Sequence, residues 1–234
     1  MPVVYNVWLV DFELRQMAGY LNFLKKSFTD YMEELEGFKM PEDDEILESD
    51  EFNEQFNRWY AEVASADEGG DYRRRFYSAF VISWYAFVEE SLLNVCKDQN
   101  LFDEYRGETG KEIGKGIWFA KDLLQKFTPY RFDQTLWKEL VLINKIRNSL
   151  AHNSGKFAYS LEIGNEKQKV VQVQNHDEQH YVYIEEDLYK YLNRHGILHF
   201  YGTYFIRPTH EYCEHLIKIG QHTFANLFRR LGLL

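Results

Sequence analysis

Cysteine is scarce in this sequence. Cys96 and Cys213 are the only two cysteines among 234 residues, which is too few, at too wide a separation, for the disulfide framework of a small secreted domain. We therefore expect a reduced, cytoplasmic protein. Neither cysteine lies in a local signature of a thiol hydrolase, and the sequence contains no Gly-x-Ser-x-Gly turn. Hydrolases of those two classes are not supported.

Long apolar runs are absent as well. The longest, residues 76–88, is interrupted by Ser78 and Ser83 and is shorter than the ~20 residues that a membrane-spanning helix needs. Residues 1–12 carry no basic segment, and Asp11 precedes any long apolar stretch, so no signal peptide is predicted. We expect no membrane-spanning segment and no membrane partner.

Basic residues are outnumbered by acidic ones. With 27 Lys and Arg against 37 Asp and Glu, the formal net charge is −10 at pH 7. This charge argues against a protein that covers nucleic acid with its whole surface, because phosphate binding requires many cations. A small basic cleft remains compatible with it. The densest basic cluster, at Arg73, Arg74 and Arg75, predicts either phosphate contact near such a cleft or, more commonly, ion pairs with the acidic segment 33–51.

Apolar and aromatic side chains are abundant, at 45% and 17% of the residues. That composition excludes a disordered chain and predicts a compact fold. Apolar residues recur with helical spacing, which predicts helices at 7–35, 52–63, 76–96, 117–127, 140–152, 185–194 and 208–231. Gly19 is a point where the first helix could be interrupted, and residues 98–110 are predicted to be a loop. The fold class is mainly α: a single-domain helical bundle over 1–234, in which residues 1–70 form an N-terminal helical extension.

A small amount of β-structure is predicted after the central helices. Residues 157–173 alternate around Gly164 and Asn165, a pattern typical of a β-hairpin. Residues 181–184 suit a third short strand. We predict a small β-hairpin insertion over residues 156–184, acting as a lid or a partner-binding ribbon.

The stretch from Leu140 to Gly155 contains the most informative group of polar residues. It is predicted to end an apolar helix, with a stop signal at residues 153–155. At about 100° per residue, Asn148 and His152 lie one turn apart on one stripe, and Arg147 lies beside them. Together they supply a permanent cation, an amide that donates and accepts, and an imidazole that titrates near neutral pH.

The hexapeptide from Arg147 to His152 resembles the motif of the HEPN superfamily, in which an Arg and a polar residue precede a His. An earlier apolar helix carries the acidic pair Glu89 and Glu90, as HEPN proteins often do. The resemblance covers about residues 72–155 and the last helix. It implies an all-helical, usually dimeric fold and, in many members, a metal-independent RNase of toxin, abortive-infection or RNA-processing systems.

The resemblance also implies roles for particular side chains. Arg147, Asn148 and His152 would form the catalytic set, with Glu89 or Glu90 holding Arg147 or His152 in position. Apart from the resemblance, basic side chains are candidate RNA contacts because of their charge, namely Arg73, Arg74, Arg75 and Lys145. A second copy of the chain would supply a second motif in a homodimer, and an antitoxin or neighbouring-operon protein is a further expected partner. No cofactor and no metal is implied.

Other interpretations stay open at this point. Arg147 and His152 also suit the end of an ordinary helix, where cations interact favourably with free carbonyl groups. The domain would then be a non-catalytic binding module for RNA, a nucleotide or a protein. In the HEPN toxin branch that pairs with a nucleotidyltransferase antitoxin, a Tyr follows the motif His by two residues. This chain has Ser154 there, so membership of that branch is not expected.

Two histidine pairs have a spacing that invites a metal assignment. His176 and His180 are four residues apart, and so are His195 and His199. Neither pair has Cys, Asp or Glu partners at the recognised zinc spacings. The sequence therefore does not predict a metal site.

Overall fold

A computed structural model of the protein describes residues 2–36, 71–160, 171–175 and 178–234, together with Asn53, Glu54 and Asn57. Within these ranges it contains helices α1 (Pro2–Glu36), α2 (Asp71–Asp98), α3 (Leu101–Thr109), α4 (Gly116–Phe127), α5 (Gln134–Asn153), α6 (Glu186–Arg194) and α7 (His210–Arg230). The strands are β1 (Lys156–Phe157), β2 (Tyr159–Ser160), β3 (Val171–Asn175), β4 (Glu178–Val182), β5 (Leu198–Phe200) and β6 (Tyr204–Ile206). The fold is mainly helical, as predicted.

Helix α2 lies at the centre and contacts α1, α3, α4, α5 and α7. Its buried residues recur at helical spacing and include Val81, Trp84, Val88 and Leu92, all with no exposed surface. Each fully buried aliphatic side chain of this kind contributes about 1.5–3 kcal/mol to folding. Because apolar side chains cover most of the circumference of α2, the other helices pack around it.

The apolar character of α2 also meets a simple test for membrane spans. Among the described residues, the segment Arg73–Asp98 is the one helix that is long and apolar enough to cross a membrane by length and composition. Half of its apolar window is buried inside the fold. The central helix of a bundle meets the same test because it is surrounded by protein rather than water.

Helix α1 runs without interruption through Gly19 and packs on α2 and α7. Its buried face comprises Val10, Leu14, Leu21 and Leu24. The three helices meet at Gly220 of α7, where an added Cβ would lie 3.0 Å from Cδ2 of Leu14 and 3.3 Å from Nε1 of Trp84. A glycine at this position therefore lets α7 approach both neighbours.

The sequence predicted most of the helices but not α3. Helices α1, α2, α4, α5, α6 and α7 confirm the predicted helices at 7–35, 76–96, 117–127, 140–152, 185–194 and 208–231. The helix predicted at 52–63 lies outside the described residues except at three positions. The predicted loop at 98–110 is wrong, because it contains α3. This short helix is bounded by left-handed residues, Asn100 at φ 59° and Gly110 at φ 65°, and its Tyr105 ring packs edge-on against Phe119 at 5.2 Å. Tertiary contact stabilises a segment with little helical signal of its own.

The β-structure differs from the predicted hairpin. Strands β2, β4 and β3 form one antiparallel sheet with β4 in the middle, so that Val182 of β4 pairs with Tyr159 on one side and Val171 on the other. The described hairpin is therefore β3–β4, and the predicted turn at Gly164 and Asn165 lies outside the described residues. A second antiparallel sheet, in the order β1-β6-β5, joins Lys156 to Phe205 and was not predicted.

Candidate functional site

Helix α5 presents the Arg147–His152 motif in its last two turns. Asp133 is the N-cap that precedes the helix, and its Oδ1 accepts a hydrogen bond from the Leu136 amide at 2.9 Å. The buried face of the helix, including Leu140, Ile143 and Ile146, packs on the core. The predicted stop is confirmed, since Ser154 closes the helix with a left-handed backbone at φ 52°.

The residue after this stop fixes the motif against the sheet. Gly155 has φ +74°, and an added Cβ would lie 3.0 Å from Cδ2 of Leu150. Its carbonyl accepts a hydrogen bond from the Ile206 amide of β6 at 2.8 Å. The end of α5 is therefore held on both sides, which gives the motif a rigid support.

Arg147 and Asn148 contact each other directly. Nη1 of Arg147 donates a hydrogen bond to Oδ1 of Asn148 at 2.8 Å, and the guanidinium carbon lies 5.8 Å from the centre of the Tyr85 ring on α2. Nε of Arg147 is buried and has no hydrogen-bond partner among the described residues. The guanidinium is thus fixed between two helices while part of its donor set stays unused.

His152 is exposed on the surface one helical turn after Asn148. In the part of the chain that the structure describes, its ring makes no hydrogen bond and no ion pair. The structure therefore brings Arg147 and Asn148 together but leaves the imidazole facing solvent. Such an imidazole is accessible to a ligand and to a second protein chain.

The acidic pair of α2 contacts the motif only indirectly. Glu89 is half-buried and Glu90 is exposed, and neither forms a hydrogen bond or an ion pair with Arg147 or His152 among the described residues. The Tyr85 hydroxyl is buried, and its pKa is raised by burial first and then by the charge of Glu89, while the charge of Arg147 opposes the shift. Tyr85 thus lies within electrostatic reach of both Glu89 and Arg147, and no motif in the sequence points to it.

The three arginines at the start of α2 have different environments. Nη2 of Arg73 donates to the carbonyl oxygen of Phe28 at 3.4 Å, and its guanidinium lies 5.3 Å from the Phe28 ring. Nη1 of Arg74 donates to the carbonyl oxygen of Ser154 at 3.5 Å. Arg75 is exposed. Arg74 therefore places a cation beside the end of the motif helix. The acidic segment 33–51 was the alternative partner of these arginines, and most of it, residues 37–51, lies outside the described residues.

Arg73 and Arg74 also line a cavity of about 400 Å³, which we call the basic pocket. It is formed by α1, the first turns of α2 and α7, and the segment from β5 to α7, with side chains from Lys25, Phe28, Thr29, Arg73, Arg74, Tyr77, His199, Arg207, Pro208, Thr209, His210 and Glu211. Four of these residues carry a permanent positive charge and one carries a carboxylate. The cavity therefore suits an anion such as a phosphate group.

Two histidines face this basic pocket with unused polar atoms. His210 is only 6% exposed. Its Nδ1 lacks a hydrogen-bond partner among the described residues, whereas its Nε2 lies 3.3 Å from Oε1 of Glu214. Nε2 of His199 is likewise buried without a partner in the described ranges. Burial, followed by the charge of Arg207, lowers the pKa of His199. Buried nitrogens without partners are rare in folded proteins and favour a polar ligand here.

Lys145 lies away from the motif. Its Nζ forms an ion pair with Oε2 of Glu185 at 2.5 Å, and its side chain lines a separate groove of about 450 Å³ between α5 and α6. Because positions 145 and 147 differ by about 200° around a helix, the two side chains leave α5 on different faces. The structure does not bring Lys145 together with Arg147 and His152.

The histidine pairs noted in the sequence are separated in the fold. His180 is buried, with Nδ1 3.1 Å from the Tyr204 hydroxyl, and His176 lies outside the described residues. His199 lines the basic pocket, whereas His195 lies beside Glu139 and His215. Neither pair acts as a unit, but His195 belongs to a cluster whose members are far apart in the sequence.

The chain was compared with models of known protein families, with curated proteins and with solved structures, and none of them matches. The resemblance to HEPN proteins therefore stays a prediction from the sequence, based on the Arg147–His152 hexapeptide, its helical setting and the acidic pair of α2. Any functional conclusion depends on what these side chains and the basic pocket can do chemically.

Proposed function

We propose that this protein is a metal-independent endoribonuclease of the HEPN type, with Arg147, Asn148 and His152 as its catalytic residues. The observation that supports this proposal most directly is an exposed imidazole one turn after an Arg–Asn pair that is hydrogen-bonded at 2.8 Å. These groups match the needs of RNA cleavage by the substrate's own 2′-hydroxyl, which are proton transfer and charge stabilisation at phosphorus.

In the proposed reaction, the imidazole of His152 takes the proton of the ribose 2′-hydroxyl. The 2′-oxygen forms a bond to phosphorus, the bond from phosphorus to the 5′-oxygen breaks, and the departing oxygen receives a proton. The products are a 2′,3′-cyclic phosphate and a 5′-hydroxyl end. General acid–base catalysis of this kind typically contributes about 10²–10⁴-fold in rate.

Arg147 and Asn148 act on the phosphate in this proposal. The guanidinium carries permanent charge and forked donors for the non-bridging oxygens, whose charge increases in the transition state. Asn148 accepts one Arg147 hydrogen bond and so holds the guanidinium plane. Tyr85 supports the other side of the same group.

The basic pocket is the proposed site for a neighbouring phosphate of the RNA. Arg74 connects the pocket with the end of α5, so a strand bound at Arg73 and Arg74 would pass close to His152. In a chain of net charge −10, such a local cluster is needed to attract a polyanion.

A homodimer would complete the site, because a single exposed imidazole supplies one proton acceptor and a second copy would supply the proton donor. Exposed aromatic side chains on α1 and α2, including Phe12, Tyr20, Phe23 and Phe76, offer apolar surface suited to association. The proposal also includes a role in a defence or toxin–antitoxin system, with an antitoxin or neighbouring-operon protein as partner. The proposed location is the cytoplasm.

The decisive experiment compares wild-type protein with His152→Ala and with His222→Ala on single-stranded RNA in EDTA. His222 is the matched control, since it is an exposed histidine on α7. We expect wild-type and His222→Ala protein to cleave RNA to cyclic-phosphate ends, and His152→Ala to be at least about 100-fold slower. Equal cleavage by wild-type and His152→Ala protein, or no cleavage by either, would contradict the proposal.

A non-catalytic binding module is the second candidate. It is favoured by one observation, namely that His152 makes no hydrogen bond to Arg147 or Asn148 among the described residues, so the three residues do not form a connected set within one chain. On this hypothesis the basic pocket binds RNA or a nucleotide and no bond is cleaved. Binding of RNA that is weakened by Arg74→Ala, without any cleavage by the wild-type dimer, would support this second candidate over the first.

A further inference from the structure

Three potential metal ligands meet at the junction of α5, α6 and α7. They are Glu139 of α5, His195 at the end of α6 and His215 of α7, and their ligating atoms all lie within 4.8 Å of one another. Oε1 of Glu139 is 2.7 Å from Nε2 of His215. The rings of His195 and His215 are 4.6 Å apart between centres, with their planes inclined at 35°.

The fold holds each of these residues on a rigid element. Glu139 lies one turn before the buried Ile143, on the side of α5 that faces the core. His195 follows the last turn of α6, where its amide donates to the Tyr191 carbonyl at 3.2 Å. His215 lies within α7, flanked by the buried Tyr212 and Leu216. Sites built on helices and their ends keep their geometry better than sites on long loops.

The surroundings resemble those of a metal site in three further respects. The Tyr191 hydroxyl donates a hydrogen bond to Oε1 of Glu139 at 3.2 Å, and outer groups of this kind orient the carboxylate ligands of metals. The Tyr191 and Tyr212 rings pack against the His195 ring at 4.5 and 5.3 Å, which restricts its orientation. The side chains of Glu139 and His215 remain 23% and 34% exposed, so solvent can enter.

We propose that Glu139, His195 and His215 bind one divalent transition-metal ion, with Zn²⁺ as the best match. Two imidazole nitrogens and one carboxylate oxygen form a three-ligand set that zinc accepts, with water in the fourth position. Mg²⁺ and Ca²⁺ are poorer matches, since they prefer oxygen ligands throughout. The ion takes the place of the proton that His215 shares with Glu139.

The required adjustment of the side chains is small. Tetrahedral ligands about 2.0–2.2 Å from zinc lie roughly 3.3 Å from one another. The Glu139–His215 separation must lengthen by roughly 0.6 Å, and no other separation must shorten by more than about 1.5 Å. Rotation about side-chain bonds provides movements of this size without any displacement of the helices.

This metal site is separate from the Arg147–His152 motif. Glu139 precedes Arg147 by eight residues and His152 by thirteen, which corresponds to about 12 Å and 20 Å along a helix. The ion would therefore cross-link α5, α6 and α7 rather than contact RNA at the motif. Cleavage of RNA in EDTA would leave this inference unaffected, and a failure to bind zinc would leave the proposed nuclease unaffected.

The test uses untagged full-length protein that has been treated with EDTA and dialysed. Zn²⁺ is titrated by calorimetry, bound metal is counted by elemental analysis, and thermal unfolding is measured with and without ZnCl₂ or MgCl₂. We expect one zinc ion per chain and a rise in Tm of about 5–10 °C at a hundredfold excess of zinc over its Kd. MgCl₂ at the same concentration is expected to produce no such rise.

Two variants and one control locate the site. Glu139→Gln and His215→Ala are expected to lose the bound ion and the rise in Tm, whereas His222→Ala, which removes an exposed histidine of the same helix, is expected to retain both. If either site variant fails to fold, the test is instead the visible absorption spectrum of wild-type protein to which Co²⁺ has been added. A site with nitrogen and oxygen ligands gives the visible absorption of tetrahedral Co²⁺. No bound zinc in the wild type, equal zinc binding in the site variants, or no visible Co²⁺ spectrum would overturn the inference.

Discussion

Arg74 at the start of α2 donates a hydrogen bond from Nη1 to the carbonyl oxygen of Ser154, the residue that closes α5, across 3.5 Å. The same guanidinium lies 5.9 Å from the Phe205 ring of β6. One cation therefore links the first turn of the central helix, the end of the motif helix and the smaller sheet. It also connects the basic pocket with a position only two residues from His152.

Arg74→Ala is expected to weaken RNA binding through the loss of one phosphate contact. The slope of log Kd against log salt concentration should fall by about 0.7–1, since a neutralised phosphate no longer releases its counterions. Filter binding over a range of NaCl concentrations measures both effects. Arg106→Ala is the matched control, because Arg106 is exposed on α3 and pairs with Asp103 at 3.8 Å. An unchanged slope for Arg74→Ala would exclude this contact.

Arg147→Ala is expected to lower kcat for RNA cleavage by about 10²–10³-fold, because charge stabilisation at phosphorus is lost. Arg147→Lys should recover only part of the rate, since an ammonium group lacks the planar fork that binds Asn148 and lies over Tyr85. Single-turnover kinetics separate this effect from binding. Arg229→Ala, an exposed arginine in the last turn of α7, serves as the control, and full activity in Arg147→Lys would contradict the role of the fork.

The sequence predicted those elements whose signal is local. Apolar spacing located α1, α2, α4, α5, α6 and α7, and the stop signal before Gly155 located the end of the motif helix. Helix α3 was missed because the contact of Tyr105 with Phe119 is tertiary. The order of strands was missed for the same reason, since pairing of β2 and β3 with β4 depends on partners that alternation does not identify.

In the candidate site, too, the sequence predicted the local relationships but not the tertiary contacts. The hexapeptide was recognisable because its three residues lie within two turns of one helix, and its Arg147–Asn148 contact follows from their adjacency. Tyr85, whose ring lies beside the Arg147 guanidinium, precedes Glu89 by one helical turn, and this spacing was the available signal for it. The contact of Arg74 with Ser154 spans 80 positions, and that of His215 with Glu139 spans 76. Only the packing of helices brings such residues together.

Gly220→Ala is expected to destabilise the protein by about 1–3 kcal/mol, because the new Cβ would meet Leu14 at 3.0 Å and Trp84 at 3.3 Å in a packed core. Gly19→Ala is the matched control on α1. Gly19 is exposed, and an added Cβ there meets nothing within 4 Å, so this change should stabilise the helix by up to about 1 kcal/mol. Urea unfolding measures the two opposite effects, and the same sign for both would contradict the packing of α7 on α1.

The hydrogen bond between Glu139 and His215 predicts a dependence of stability on pH in protein kept free of metal by EDTA. It lowers the pKa of Glu139 below the ordinary value of 4.5, so the folded state favours the ionised carboxylate more than the unfolded state does. The stabilisation is therefore complete above about pH 5.5 and is lost as the pH falls through 4.5 towards the lowered pKa.

Glu139→Gln should accordingly be less stable than wild type by about 1 kcal/mol at pH 7, and the difference should shrink as the pH falls below 4.5 towards the lowered pKa of Glu139. Urea unfolding at several pH values measures this difference directly. Glu104→Gln is the control, because Glu104 is exposed on α3 and makes no ion pair among the described residues. A gap between wild type and Glu139→Gln that stays constant from pH 7 to pH 3 would show that the charge of Glu139 contributes nothing, since only a contribution from the ionised carboxylate disappears on protonation.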